Sequence, residues 1–133
     1  MIAKKGTFHS PHYPGDYSSN NDCLYTMVAD DATSRIELNF ETFHLQDSKN
    51  CESDYIQVYD GDSTDSPLMY NNLQLGGRFC GSVKPPVTMS TTKVLTVRFH
   101  SNGNISKSGF FASWKKVEAK KGRKYFYYDS TFF

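Results

Sequence analysis

No stretch of this chain is apolar for long enough to cross a bilayer. Its first residues, Met1-Ile2-Ala3-Lys4-Lys5, lack the apolar run of a secretory signal. Met1 is therefore read as an imposed start, with the natural chain expected to continue upstream. Charge of one sign is not in excess: the formal net charge is +1 at pH 7, against the strong basic bias expected of a nucleic-acid binder. Cysteine is scarce, with three residues and no CxxC pair, which speaks against a structural zinc site. Helical periodicity, heptads and internal repeats are missing. So are a Gly-x-Ser-x-Gly elbow, a phosphate loop and a His-Glu-x-x-His helix. His9, His12, His44 and His100 are available bases and Cys23 an available thiol, but no spacing links them. No catalytic residue is assigned.

What is present is a pattern of short alternating runs. The length of 133 residues suits one domain. Hydrophobic residues at 38% and aromatics at 15% allow a single core built largely from Tyr and Phe. Strands are predicted at Cys23 to Val28, Arg35 to Phe43, Asp54 to Asp60, Val94 to His100 and Phe110 to Val117. In one, Ile36, Leu38 and Phe40 share a face; in another, Leu95, Val97 and Phe99 oppose Thr96, Arg98 and His100. Tyr55, Gln57 and Tyr59 likewise alternate with Ile56 and Val58. Many short strands with one wet face predict an all-β fold of two packed antiparallel sheets. Gly76-Gly77 and Pro85-Pro86 read as loops, and Asp60-Gly61 as a tight turn.

Several short motifs follow one another in a fixed order. Ser10-Pro11-x-Tyr13-Pro14 opens the series, then Cys23-x-Tyr25, Cys51-x-x-Asp54-Tyr55 and Phe79-Cys80-Gly81. Ser90-Thr91 with Leu95, Val97 and Phe99 comes next, and Gly109-Phe110-x-Ala112 closes it. Each motif alone is weak; six in this order resemble the CUB domain family. The resemblance covers residues 6–117, leaving 1–5 as an upstream stretch outside the domain and 118–133 as a basic and aromatic tail. It implies a jelly-roll-like β-sandwich and a Cys51–Cys80 disulfide. It also leaves Cys23 unpaired, because the family's usual partner lies upstream of Gly6, where this sequence has no cysteine.

Many members of the family carry calcium at one end of the sandwich, and the resemblance maps that site onto Tyr17, Gln46, Asp54 and Asn102. Two of the family's three carboxylates are replaced here by the amides Gln46 and Asn102. Calcium takes six to eight oxygens and depends on ligand charge, so the expectation is no cofactor. Tyr17, Gln46, Asp54 and Asn102 are instead expected to form a metal-free hydrogen-bonded cluster. Were calcium held, a one-residue shift would recruit Asp47 alongside Tyr17, Asp54 and Asn102.

The resemblance further implies an extracellular setting, where composition alone leaves a cytosolic chain with reduced thiols open. Asn104-Ile105-Ser106 is a glycosylation sequon, making Asn104 the candidate acceptor. The function expected is a non-catalytic extracellular module that binds a protein ligand, as part of a larger receptor, co-receptor or protease. The alternative is calcium-independent carbohydrate binding of the spermadhesin kind, with exposed tyrosines stacking on sugar rings. Arg98, His100 and Lys107 are loose candidates for partner contacts. No nucleic acid and no membrane insertion of this segment are expected. Self-association through Cys23 or the aromatic segment Tyr125 to Phe133 is a further expectation.

Overall fold

The computed structural model describes residues 2–70, 75–103, 105–120 and 127–128. Two four-stranded sheets face each other. One has the order β1-β3-β7-β5, with β1 at Ile2–Ala3, β3 at Asp22–Ala29, β7 at Val94–His100 and β5 at Tyr55–Tyr59. The other has the order β2-β8-β4-β6, with β2 at Lys5–His9, β8 at Gly109–Val117, β4 at Arg35–His44 and β6 at Thr88–Met89. A short ribbon pairs β9 (Ala119–Lys120) with β10 (Tyr127–Tyr128). The result is the all-β sandwich predicted from the alternating runs, and the five predicted strands lie within one or two residues of their observed bounds.

Among the described residues pairing is antiparallel with one exception. Ile2 and Ala3 run parallel to Val28 and Ala29 at the edge of the first sheet. Only Lys4 separates β1 from β2, so the chain crosses from one sheet to the other without reversing direction. Residues in the stretch 1–5 thus contribute to both sheets.

The core follows from period-2 alternation. Ile36, Leu38 and Phe40 of β4 face Leu95, Val97 and Phe99 of β7, all at most 1% exposed. The β4 ladder slips between Phe40 and Thr42, leaving Glu41 as the extra residue of a bulge. That slip returns Phe43 to the interior, where strict alternation would have turned it out. Phe110 sits at the centre of an aromatic cluster, with ring centroids 6.0 Å from Phe8, 5.9 Å from Tyr25, 5.7 Å from Phe40 and 5.4 Å from Phe99. Edge-to-face geometry of this kind adds to the burial energy of each ring.

One expectation fails at β5. Its Tyr55, Gln57 and Tyr59 face was predicted to be wet, yet all five residues are buried. The cover comes from residues 67–70 and 75–79. Met69 donates its N–H to Val58 O at 2.8 Å, and Ile56 and Phe79 exchange both backbone bonds at 2.9 Å. Gln57 donates to Gly76 O at 3.0 Å and accepts from the Tyr59 hydroxyl at 2.9 Å. The Arg78 guanidinium lies 4.2 Å from the centre of the Tyr55 ring, within cation–π range. The same segment caps the β5 edge, which would otherwise be open to foreign strands.

Candidate functional site: the loop end of the sandwich

Three loops converge at one end: 10–21 between β2 and β3, 45–54 between β4 and β5, and 101–108 between β7 and β8. Each is tied down by a polar residue that the interior has claimed. Ser10 is fully buried; its N–H donates to Phe110 O at 3.1 Å and its hydroxyl accepts from Phe110 N–H at 3.0 Å. The Ser-Pro and Gly-Phe motifs, 100 residues apart, are thus two halves of one clasp. Gly109 belongs to it because its φ of 86° is left-handed. A Cβ there would also stand 1.8 Å from the Ser10 hydroxyl.

Tyr17 is 2% exposed. Its N–H donates to Lys107 O at 3.0 Å, and its ring meets Phe99 edge-on at 5.1 Å. Its hydroxyl donates to Asp54 Oδ2 and accepts the Gln46 N–H at 3.1 Å. Asp54, with no exposed surface, accepts the Asn102 N–H at its other oxygen, 2.9 Å away. Burial, and then the bond to Asp54, push the Tyr17 phenol well above its ordinary value, so it stays a donor across the accessible pH range. The structure therefore brings Tyr17, Gln46, Asp54 and Asn102 together, one or two from each loop. Gln46 and Asn102 join through their main-chain N–H groups. The Gln46 side-chain oxygen is buried and has no donor among the described residues.

Cys51 and Cys80 are disulfide-bonded, with Cα atoms 5.5 Å apart. The bond fastens the 45–54 loop to residues 79–81, where Leu45 N–H also donates to Gly81 O at 2.9 Å. Closing a loop of 29 residues stabilises the fold by roughly 3–4 kcal/mol on a chain-entropy estimate. Asp47 is exposed, with Oδ1 3.7 Å from Cys80 Sγ. It is not part of the Asp54 hydrogen-bond set. Among the described residues no three His, Cys, Asp or Glu side chains gather closely enough to hold a metal ion.

Beside the cluster lies an open groove of about 480 Å³, lined by His44, Leu45, Gln46, Asp47, Gly81, Ser82, Ile105 and Lys107. Ile105 is 54% exposed on its wall. The groove, the buried clasp of Ser10 with Phe110 and the doubly bonded Ser101 (to Asn21 N–H and Ser18 O, 3.0 Å each) were not read from sequence, although Ser10 itself stands in the opening motif. Ser101 directly precedes the mapped site residue Asn102, which was the available signal.

The other candidates lie elsewhere. Arg98 is not a free surface cation: its guanidinium grips Asp22 in two bonds of 2.9 and 3.0 Å and lies 5.7 Å from the Tyr55 ring centre. His100 stacks on Tyr55 at 4.9 Å. Cys23 is a half-buried free thiol packed against the core. Asn104 lies outside the described residues, as does most of the tail segment expected to self-associate.

A two-sheet sandwich with one disulfide and three loops clasped at one end defines a class of β-sandwich modules rather than an enzyme pocket. Comparison with known proteins specifies the class. The family model for the CUB domain matches residues 1–114, and the chain belongs to the CUB family. It is 36% identical over 114 residues to human Tolloid-like protein 1, a match that takes in 86% of this chain and 10% of that protein. Among solved structures, the full extracellular region of zebrafish Gpr126/Adgrg6 superposes with a TM-score of 0.72 at 28% identity, covering 89% of this chain and 14% of that one. The calcium-bound MASP-1 CUB2 domain superposes with a TM-score of 0.68 at 24% identity, covering 86% and 96%. The chain therefore spans about a tenth of the length of the curated relative it matches. An extracellular setting accords with these relationships, and no helix among the described residues is long and apolar enough to cross a membrane.

Proposed function

We propose that this chain is a non-catalytic extracellular module that binds a protein ligand at its loop end, within a larger protein, and that it does so without calcium. The observation that carries the reading is the groove of Ile105, Leu45, Asp47 and Lys107 held beside the latch that hydrogen bonds close around Asp54 and the Tyr17 hydroxyl. An apolar wall with one carboxylate and one ammonium at its rim suits a protruding partner side chain flanked by polar contacts. The Tyr17–Asp54–Asn102–Gln46 bonds hold that rim rigid, which lowers the ordering cost of binding.

Calcium-bound MASP-1 CUB2 shares the fold at 24% identity, but the donor chemistry here does not fit the ion. A single carboxylate stands in the cluster, and both of its oxygens already accept neutral donors. Calcium would have to displace the Tyr17 and Asn102 donors and gain only one negative charge in return.

The test is saturable binding of the tetramerised module to cells in EDTA, with and without prior proteolysis of the cell surface. The reading expects binding that proteolysis removes and that Asp47→Ala or Lys107→Ala weakens. Binding that survives proteolysis, or that requires added calcium, contradicts it.

A further inference from the structure

β2 is an edge strand whose free side is bare. Of the outermost strands of the two sheets, β1 and β6 are two residues long, and β5 is covered by the segments described above. β2 runs from Lys5 to His9 without proline and in unbroken register with β8. Lys116 N–H donates to Lys4 O at 2.7 Å and Ser10 N–H to Phe110 O at 3.1 Å, one at each end of that ladder. Hydrogen-bonded pairs alternate along an antiparallel ladder, so Lys4, Gly6, Phe8 and Ser10 bond β8 through their backbone groups. Lys5, Thr7 and His9 turn theirs outward. The Tyr25 hydroxyl donates to His9 O at 2.9 Å. The N–H groups of Lys5, Thr7 and His9, and the carbonyls of Lys5 and Thr7, meet no partner among the described residues.

An orphaned donor lies just inside this edge. Trp114 is 3% exposed, and its Nε1 is buried with no acceptor among the described residues. Nε1 is also the ring atom nearest Gly6, 2.7 Å from where a Cβ would stand. Gly6 is half-buried and brings no side chain of its own, so nothing from β2 screens the indole N–H. An unmet buried donor is costly, and an acceptor arriving alongside Gly6 would satisfy it. The charge at the edge is positive. Lys4 and Lys5 are exposed and have no carboxylate partner among the described residues. Lys115, opposite Lys5, is instead 3.7 Å from Glu37.

We infer that the β2 edge takes up an extended acidic segment of a partner protein as a fifth strand of the second sheet. An extended polypeptide presents N–H and C=O groups at the spacing that Lys5, Thr7 and His9 require. A carboxylate opposite Lys5 meets its ammonium on the outer face, where cross-strand pairs interact. The residue opposite Gly6 turns to the inner face, where a side-chain oxygen serves Trp114 Nε1. Lysine on an edge strand ordinarily keeps other strands away; here it turns away basic segments and favours acidic ones. A second copy of this chain is a poor occupant, because its β2 would bring further lysines and no carboxylate. The edge shares no residue with the loop-end groove, so the two readings stand or fall separately.

The probe is an octapeptide of alternating Glu and Thr, titrated into isotope-labelled protein and followed by NMR. Trp114 is the single tryptophan, so one indole N–H resonance reports the contact. A saturable shift of that resonance is expected, with slowed hydrogen exchange at the amides of Lys5, Thr7 and His9. The fully N-methylated peptide, which has no strand donors, should not bind, and neither should a Lys-Thr octapeptide. Lys5→Glu should weaken binding of the Glu-Thr peptide about tenfold, by replacing an attractive cross-strand pair with a repulsive one. Thr7→Pro should abolish it, since it removes an outward N–H and leaves the bonds to β8 in place. Lys5→Glu is an exposed change expected to melt like the wild type, and it keeps the test decisive if Thr7→Pro perturbs the strand. No shift up to millimolar peptide, equal binding of the Lys-Thr peptide, or indifference to Lys5→Glu would each overturn the inference. The same shifts on raising protein concentration without peptide would overturn it too, by assigning the edge to a second copy.

Discussion

Replacing Tyr17 by Phe removes one oxygen and tests the latch. The ring contact with Phe99 at 5.1 Å is kept, so no cavity opens. Two groups lose their partner: Asp54 Oδ2, in a residue with no exposed surface, and the Gln46 N–H. A hydrogen bond to a charged group contributes about 1.5–3 kcal/mol, and an orphaned buried donor costs about 1–3 kcal/mol. Water reaching Gln46, which is only half-buried, offsets part of the second cost, so the expected loss is roughly 2–4 kcal/mol. For a chain of this size each kcal/mol lowers Tm by about 3–4 °C, giving a fall of roughly 6–15 °C. Urea unfolding of the non-reduced protein is the assay, with unchanged m-value as the sign that only stability has moved. Tyr13→Phe is the matched control, since its hydroxyl serves only the exposed Thr42, and should cost under about 0.5 kcal/mol. In a double-mutant cycle with Asp54→Asn, Tyr17→Phe should cost much less than it does in the wild type. A loss below about 0.5 kcal/mol for Tyr17→Phe would refute the reasoning.

Three other outcomes are expected. Gly6→Ala would set a Cβ 2.7 Å from Nε1 of the buried, rigid Trp114 indole and should cost about 1–3 kcal/mol in a urea melt. Reducing Cys51–Cys80 should lower stability by roughly 3–4 kcal/mol and raise hydrogen exchange first in residues 45–54 and 78–81. Asp22 is held below its ordinary pKa of 3.8, chiefly by its hydrogen bonds to Arg98. Its contribution is therefore complete above pH ~4 and is lost as pH falls through the depressed value. The Asp22→Asn defect, under about 1 kcal/mol for so exposed a pair, should shrink between pH 7 and pH 2; a defect that grows on acidification would contradict the assignment.

Strands were legible because alternation is a local signal: Leu95, Val97 and Phe99 state their face within five residues. Features made by distant segments were not. The Tyr55-Gln57-Tyr59 face reads as wet because its cover, from residues 67–70 and 75–79, has no periodicity of its own. The bulge at Glu41 is visible only once Phe43 must be buried. Ser10 and Phe110 are each part of a recognisable motif, yet nothing local says that the motifs bind each other. Tyr17, Gln46, Asp54 and Asn102 were grouped through family order alone, since they lie in three loops separated along the chain by whole strands. Which of their atoms meet depends on loop geometry: it is the main-chain N–H groups of Gln46 and Asn102 that reach the Tyr17 hydroxyl and Asp54.

The central claim is that the loop end is a metal-free latch serving a binding module. A thermal melt of the non-reduced protein in EDTA and in increasing calcium tests it most directly, because an ion bound only by the native state raises Tm with concentration. The account predicts superimposable melts up to millimolar calcium. A concentration-dependent rise that Asp54→Asn abolishes would contradict it.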